Sequence, residues 1–393
     1  MDGESARTST TRIPEKGHRP VNEDKLRRSI EIPDLSDPTN GVHAINLTVE
    51  RILTGFRSRH NWPAPLVRRL DPVTTVAYNF DMLYFPPDNA GRSETYTRYL
   101  PDGRLLRTHT SAMIPVLLPQ LHAEKLDDFI LFCPGICFRR DVVDRQHNGE
   151  PHQMDIWRIR KGEPRLERSA LIEMVETLID SIIPGYQYRA NETSHPYTMH
   201  GIEVEVLVND EWVEILECGE ALPGVLSDGG FDSNEHSGLA LGMGLDRLAM
   251  IAKGINDIRI LRSQDPRISC QMLNLDPYVP VSKFPPVRHD MSVSIASEMT
   301  DEDVSEAIRD IMGDDVDSLE EVTILSQTPY NDLPPQAIER LGIKPGQKNV
   351  LVRVILRSHE RTLTQEEANA IRDNVYRALN QSGTDGYLSF NNQ

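Results

Sequence analysis

Residues 137–157 read CFRRDVVDRQHNGEPHQMDIW, a stretch that gathers three arginines, four acids and two histidines between apolar ends. Taken as two antiparallel strands, CFRRD and HQMDIW, it has DRQHNGEP as its loop, turning at Asn148-Gly149. Side chains alternate along a strand, so Arg139 and Asp141 share a face of the first and Gln153 and Asp155 share a face of the second. Together they offer a planar guanidinium fork for a phosphate, an imidazole at His147, and an amide–carboxylate pair suited to an ammonium group. A solvated hairpin laced with surface salt bridges is the bland alternative, because such pairs are common and weak. Two further stretches favour chemistry. GLALGMGLDRLAM places Arg247 on a helix beside small residues, which let a ligand approach the backbone closely. GRLLRTHTSAM presents His109 and Ser111 at a strand end.

The elements that must position these groups come from a chain of 393 residues, long enough for two domains. Its formal charge of −18 disfavours polyanions unless basic groups are locally focused. No run approaches the roughly 18 to 20 apolar residues that cross a bilayer. The first residues lack the apolar centre of a secretory signal, and Asp2, Glu4 and Glu15 argue against a transit peptide. Four cysteines in so long a chain make no disulfide scaffold, and Cys133 and Cys137 read as small buried hydrophobes.

Residues 1–38 are expected to be a disordered tail and lead-in loop. HAINLTVERILTGF reads as a helix with Ile45, Val49, Ile52 and Leu53 on one face, and LERSALIEMVETLIDSII as another with Leu171, Met174, Val175, Leu178 and Ile182 as its stripe. EVEVLV and EWVEILECGE read as a hairpin turning at Asn209-Asp210, and Gly254 closes the helix that carries Arg247. These belong to a domain over 39–263. Residues 264–281, rich in proline, are expected to be a linker. Residues 282–393 spell strand–helix–strand twice over, ending in GYLSF, the ferredoxin-like βαββαβ order.

FRRD, HQMD and GLALGMGLDRLAM resemble the second and third signature motifs of class II aminoacyl-tRNA synthetases. More narrowly, NFDMLYFPP, LLRTHTSA, CFRRDVVDRQH, HQMD, WVEILECG and GMGLDRLAMI, in that order, resemble phenylalanyl-tRNA synthetase. The C-terminal part resembles that family's ferredoxin-like anticodon-binding domain, and the resemblance covers about residues 40 to 380. The single-chain layout is similar to the organellar form. The fold implied is α+β: a class II antiparallel sheet flanked by helices, followed by the ferredoxin-like domain.

The resemblance implies ATP-dependent formation of an aminoacyl adenylate followed by transfer to tRNA, with ATP and Mg²⁺ as cofactors. Arg139 would hold the α-phosphate and Arg247 the γ-phosphate, with His147 near the β- and γ-phosphates and Asp141 orienting the adenine or Arg139. Glu214 would be the Mg²⁺ ligand. His109, Ser111, Gln153 and Asp155 would surround the amino end of the substrate, and Ala240 would line its pocket. Several positions depart from the family. Pro151 replaces an aromatic that stacks on adenine, a contact worth about 1–3 kcal/mol. Asp155 is one methylene shorter than the usual glutamate, and Ile114 replaces a glutamine. His195 and Tyr197 stand where the family has two phenylalanines, and Glu217 where it has glycine. If buried without partners, those two polar groups would disfavour an apolar ligand by about 1–3 kcal/mol each, so the substrate is expected to be polar or modified. The alternatives are a paralogue that passes the activated amino acid to a non-tRNA acceptor, or a non-catalytic regulator. The C-terminal part carries 19 acids against 11 bases, and Lys344, Lys348, Arg353 and Arg357 are its candidate basic patch for tRNA. A monomer or homodimer is expected, with no membrane association, in the cytoplasm or an organellar matrix.

Overall fold

The computed structural model describes residues 23–140, 145, 149–280 and 284–382. Two compact units emerge. One contains residues up to Gly41, Val49–Phe138 and His152–Leu245; the other contains Val42–Thr48, Arg139–Pro151 and the chain from Asp246 onward.

The strands of the first unit are β1 Pro65–Val67, the short pair β2 Val73–Thr74 and β3 Leu105–Leu106, then β4 Asp128–Ile136, β5 His152–Lys161, β6 Tyr188–Glu192, β7 Thr198–Val208, β8 Glu211–Ala221 and β9 His236–Gly244. Seven of them form one sheet in the order β1-β4-β5-β9-β8-β7-β6. Only the β1–β4 pairing is parallel. β4 and β5 are buried almost throughout, β4 as its near-continuous apolar run requires and β5 although it carries His152, Asp155 and Arg158, whereas the edge strand β6 is mostly exposed. β6 carries Arg189, Asn191 and Glu192, polar side chains that blunt an open edge.

The expected helices form as Ala44–Arg57 and Arg168–Ile182, and every residue of the two apolar stripes is buried. Periodicity sufficed because each stripe faces a single packed surface. The β7–β8 hairpin turns at Asn209 and Asp210, which both adopt positive φ, as a two-residue primed turn demands. The helix Leu245–Lys253 ends at Gly254, with φ of 66°.

Three expectations change. The first strand of the quoted hairpin stops at Ile136, paired with His152, so Arg139 lies beyond it. The reason is that the Phe138 N–H donates to the Arg107 carbonyl, which draws the chain away from β5. The stretch expected as a tail holds a helix, Glu23–Glu31, and the lead-in that follows is anchored to the sheet. There the Ile136 N–H donates to Asp34 Oδ2 at 3.1 Å, and the Leu35 N–H to the buried His152 Nε2 at 3.0 Å. The stretch expected as a linker holds the helix Pro266–Ser269 and buries Ile268 and Met272.

In the second unit β10 Val287–Ala296, β11 Leu319–Pro329 and β12 Gln347–Leu356 form an antiparallel sheet in the order β10-β12-β11. Helices Asp301–Met312 and Gln365–Leu379 pack on it around Met291, Val293, Ile308, Val352, Val354 and Val375. Each helix begins with a capping box, Thr300 with Asp303 and Thr364 with Glu367. This is the first part of the ferredoxin-like order; GYLSF lies outside the described residues. No helix among the described residues is long and apolar enough to cross a membrane.

Leu178 is fully buried in the stripe of Arg168–Ile182. Leu178→Ala is expected to lower the unfolding free energy by about 2–5 kcal/mol. Denaturant titration checks this: the midpoint should fall with an unchanged slope.

Candidate functional site

In the first unit the buried carboxylate of Asp155 is the focus. It sits on β5, 2% exposed. Thr110 Oγ1 donates to its Oδ1 at 2.7 Å and Ser111 Oγ to the same oxygen at 3.1 Å. Trp157 Nε1, two residues along the same face of the strand, donates to Oδ2 at 3.1 Å. Burial pushes the carboxyl above the usual aspartate range, and the three hydrogen bonds pull against that rise.

Thr110 and Ser111 lie in the 3₁₀ turn Thr110–Met113, whose cap is His109. The approach to this turn is held from outside. Asn79 Nδ2 donates to Thr108 Oγ1 at 2.9 Å, and the Thr108 N–H returns a bond to Asn79 Oδ1 at 3.1 Å. Arg107, also buried, donates to the carbonyls of Ile136 and Leu70 at 2.7 and 2.9 Å. Opposite Asp155 on β9 stands Gly242. A methyl group there would lie 3.9 Å from Asp155 Oδ1 and 3.9 Å from the Tyr197 hydroxyl, so the glycine leaves a bare stretch of backbone beneath both.

Aromatic rings surround this polar point. Tyr197 stacks on Trp157 with centroids 6.2 Å apart and lies 6.1 Å from Phe85. Phe85 stacks on His109 at 5.3 Å. The two polar residues at 195 and 197 meet partners within the protein, which corrects the expectation that an apolar ligand would leave them unpaired. His195 Nε2 lies 2.7 Å from Glu217 Oε2, and the Tyr197 hydroxyl 3.4 Å from Ser111 Oγ. Ala240, on β9 opposite Trp157, and Ile114, which opens the helix Ile114–Ala123, are buried in the apolar cluster against which Tyr197 packs. Gln153 is partly buried and its Oε1 accepts from Cys137 Sγ at 3.5 Å.

Of the expected substrate residues, the structure thus brings Ser111, Asp155 and Tyr197 together. Sequence reading missed Thr110, Trp157, Phe85 and Gly242. Trp157 could have been found, since it shares the strand face of Asp155. Phe85 lies in the quoted stretch NFDMLYFPP, but nothing there assigns it a role, because only the fold carries it to His109.

Arg139 and Arg247 both belong to the second unit and both are partly exposed. The Arg139 N–H donates to the Gly149 carbonyl at 2.8 Å, so the two ends of the intervening loop meet. Pro151 is partly exposed. Asp141 and His147 lie outside the described residues. Ion pairs crowd this segment: Arg140 lies 3.6 Å from both Asp303 and Glu306, and Arg309 3.0 Å from Glu150. The fully buried Glu320 accepts from Arg145 and Arg357.

Three of the four residues of the expected basic patch are engaged elsewhere. Arg353 is spent on a two-pronged pair with Asp290, Arg357 on Glu320, and Lys348 on the Met299 carbonyl and Gln327. Alternation along β12 also sends Lys348 and Arg353 to opposite faces. Glu214, on β8 opposite Glu205, is partly exposed. Among the described residues no group of three or more His, Cys, Asp or Glu is placed to hold a metal ion.

Because burial raises the Asp155 carboxyl above its ordinary value of 3.8, the folded protein holds this proton more tightly than the unfolded chain. Stability therefore falls as pH rises from 3.8 through the folded value. Thr110→Val removes one opposing hydrogen bond and should carry that fall to higher pH. Unfolding titrations should show a loss of about 1–3 kcal/mol at pH 7 and a smaller one at pH 4. Equal losses at both would contradict this account of Asp155.

Comparison with known proteins extends these observations. Residues 29–272 match the family described as tRNA synthetases class II core domain (F), and residues 282–384 the ferredoxin-fold anticodon binding domain. The chain is 30% identical over 354 residues to the chloroplastic/mitochondrial phenylalanine-tRNA ligase of Arabidopsis thaliana, covering 86% of this chain and 77% of that protein. It is 32% identical over 240 residues to the phenylalanine-tRNA ligase alpha subunit of Acaryochloris marina, covering 61% and 69%. It is 35% identical over 242 residues to the alpha subunit of Prochlorococcus marinus, covering 60% and 69%. With its buried carboxylate set among aromatic rings, its synthetase core and its ferredoxin-fold domain, this chain belongs to the phenylalanine-tRNA ligase family of class II aminoacyl-tRNA synthetases.

Proposed function

We propose that this protein activates phenylalanine with ATP and transfers the aminoacyl group to tRNA. The observation that carries the reading is the Asp155 carboxylate held by Thr110, Ser111 and Trp157 amid the rings of Phe85, Trp157 and Tyr197. A carboxyl group held by three donors beside stacked rings suits a molecule that has an ammonium at one end and an aromatic group at the other. Because His195 and Tyr197 have internal partners, phenylalanine is accommodated without stranding them.

In this reaction the carboxylate of phenylalanine attacks the α-phosphorus of ATP and pyrophosphate departs. The terminal ribose hydroxyl of tRNA then attacks the adenylate carbonyl and releases AMP. Positioning and charge stabilisation carry such steps. Ser111, Gln153 and Asp155, with His109, hold the amino end. Arg139 takes the α-phosphate and Arg247 the γ-phosphate, as planar forks suit; Asp141 and His147 assist at the nucleotide. Glu214 offers a single carboxylate, which fits Mg²⁺ carried mainly by nucleotide phosphates and water. When bound, the ion neutralises phosphate charge.

Residues 39–263 constitute the catalytic part and 282–393 the anticodon-binding part. That part is acidic, so its contact with tRNA depends on shape and local cations more than on net charge. The cytoplasm or an organellar matrix is its setting.

Amino-acid-dependent ATP–pyrophosphate exchange across a panel including phenylalanine and tyrosine tests the first step, and charging of total tRNA the second. Phenylalanine should give the highest exchange rate, and Arg139→Ala should reduce it by about a hundredfold or more with the fold intact. Flat exchange across the panel, or exchange untouched by Arg139→Ala, would defeat the reading. Adenylate formation without charged tRNA would point to another acceptor.

A further inference from the structure

Tyr197 occupies the turn just before β7, and its backbone is fixed: its carbonyl accepts from the Leu222 N–H at 2.9 Å. The ring is fixed as well, stacked on Trp157 and packed on the apolar cluster that contains Ile114 and Ala240. With backbone and ring both held, the direction of the hydroxyl follows. It lies 3.4 Å from Ser111 Oγ, and Ser111 Oγ lies 3.1 Å from Asp155 Oδ1. The bare backbone at Gly242 lies beneath Asp155 and Tyr197 alike.

Two oxygens, of a carboxylate and a phenol, therefore lie over one glycine, and the Ser111 hydroxyl is within 3.4 Å of both. Ser111 has a single proton, and the charged carboxylate is its stronger acceptor, so the remaining lone pairs of Ser111 stay available. A primary ammonium has three N–H donors to place, and beside Gln153 and His109, assigned above to the amino end, these mutually close oxygens are acceptors for it. A phenylalanine at position 197 would supply the same ring and no acceptor, and the fully buried Ile114 supplies no polar atom.

We infer that the Tyr197 hydroxyl binds the α-ammonium of the amino acid together with Ser111 and Asp155, and does not read the substrate's side chain. This rests on the amino-acid-activating function proposed above. The polar group at 197 thus serves the part shared by all amino acids, and selection of the aromatic ring falls to the surrounding apolar walls.

The test uses the full-length Tyr197→Phe variant in ATP–pyrophosphate exchange, with its melting curve compared with the wild type. The KM for phenylalanine should rise about tenfold, as expected for one lost charge-assisted hydrogen bond. The kcat should stay within about twofold, the KM for ATP unchanged, and the preference for phenylalanine over tyrosine unchanged. Phenyllactate, in which a hydroxyl replaces the ammonium, should inhibit wild type and variant equally. In the double variant with Ser111→Ala the two KM effects should fall short of multiplying, because the groups share one ligand atom. An unchanged KM, an altered phenylalanine-to-tyrosine preference, or phenyllactate inhibition weakened as much as substrate binding would each overturn the inference. Wild-type protein inactive with every amino acid would instead overturn the proposed function, and this inference with it.

Discussion

A carboxylate removed from water must find its hydrogen bonds in the protein, and that requirement governs the first unit. Asp155 is 2% exposed, and without donors its charge would cost several kcal/mol. Two of its donors come from a 3₁₀ turn far away in the chain, and the third from its own strand. The turn can serve only if it is held, and the Asn79–Thr108 exchange and the buried Arg107 hold its approach. Sheet register matters for the same reason: a shift of one residue would turn Asp155 and Trp157 to the opposite face and break the arrangement.

The positions at 195 and 197 show why residue type is an incomplete guide to a ligand. Two polar side chains among aromatic rings suggest a polar ligand. Here each has a nearby protein group, Glu217 for His195 and Ser111 for Tyr197, so neither requires a polar side chain on the substrate. The cost of an unpaired group depends on where its partners lie, and a substitution read along the chain carries no such information.

The second unit applies the same logic to charge. Its acidic excess is partly committed to internal pairs: Arg140 with Asp303 and Glu306, Arg309 with Glu150, Arg145 and Arg357 with Glu320, Arg353 with Asp290. Glu320, wholly buried, needs its arginines because a lone buried carboxylate would be far more costly than the pair. An arginine paired in this way is less available to a polyanion, and two of the four residues expected as a basic patch, Arg353 and Arg357, are so paired.

Much of the fold was legible in advance. The helices Ala44–Arg57 and Arg168–Ile182 and the turn at Asn209-Asp210 follow from patterns within a few residues, and such patterns act locally. The end of β4 was not legible, because Cys137 and Phe138 are as apolar and buried as a strand would require, and a carbonyl from a distant segment ends the pairing. At the site, motif order singled out Ser111, Asp155 and Tyr197, yet Phe85 and the clamp at Asn79 depend on a chain path that no spacing reveals. By itself the sequence determined the strongly periodic helices and the hairpin turn, which family the segments compose, and which chemical groups are present. Tertiary structure decided which of those groups neutralise one another and which face a common point, because hydrogen bonds and ion pairs form by proximity in space, and proximity between distant segments is settled only when the chain has packed.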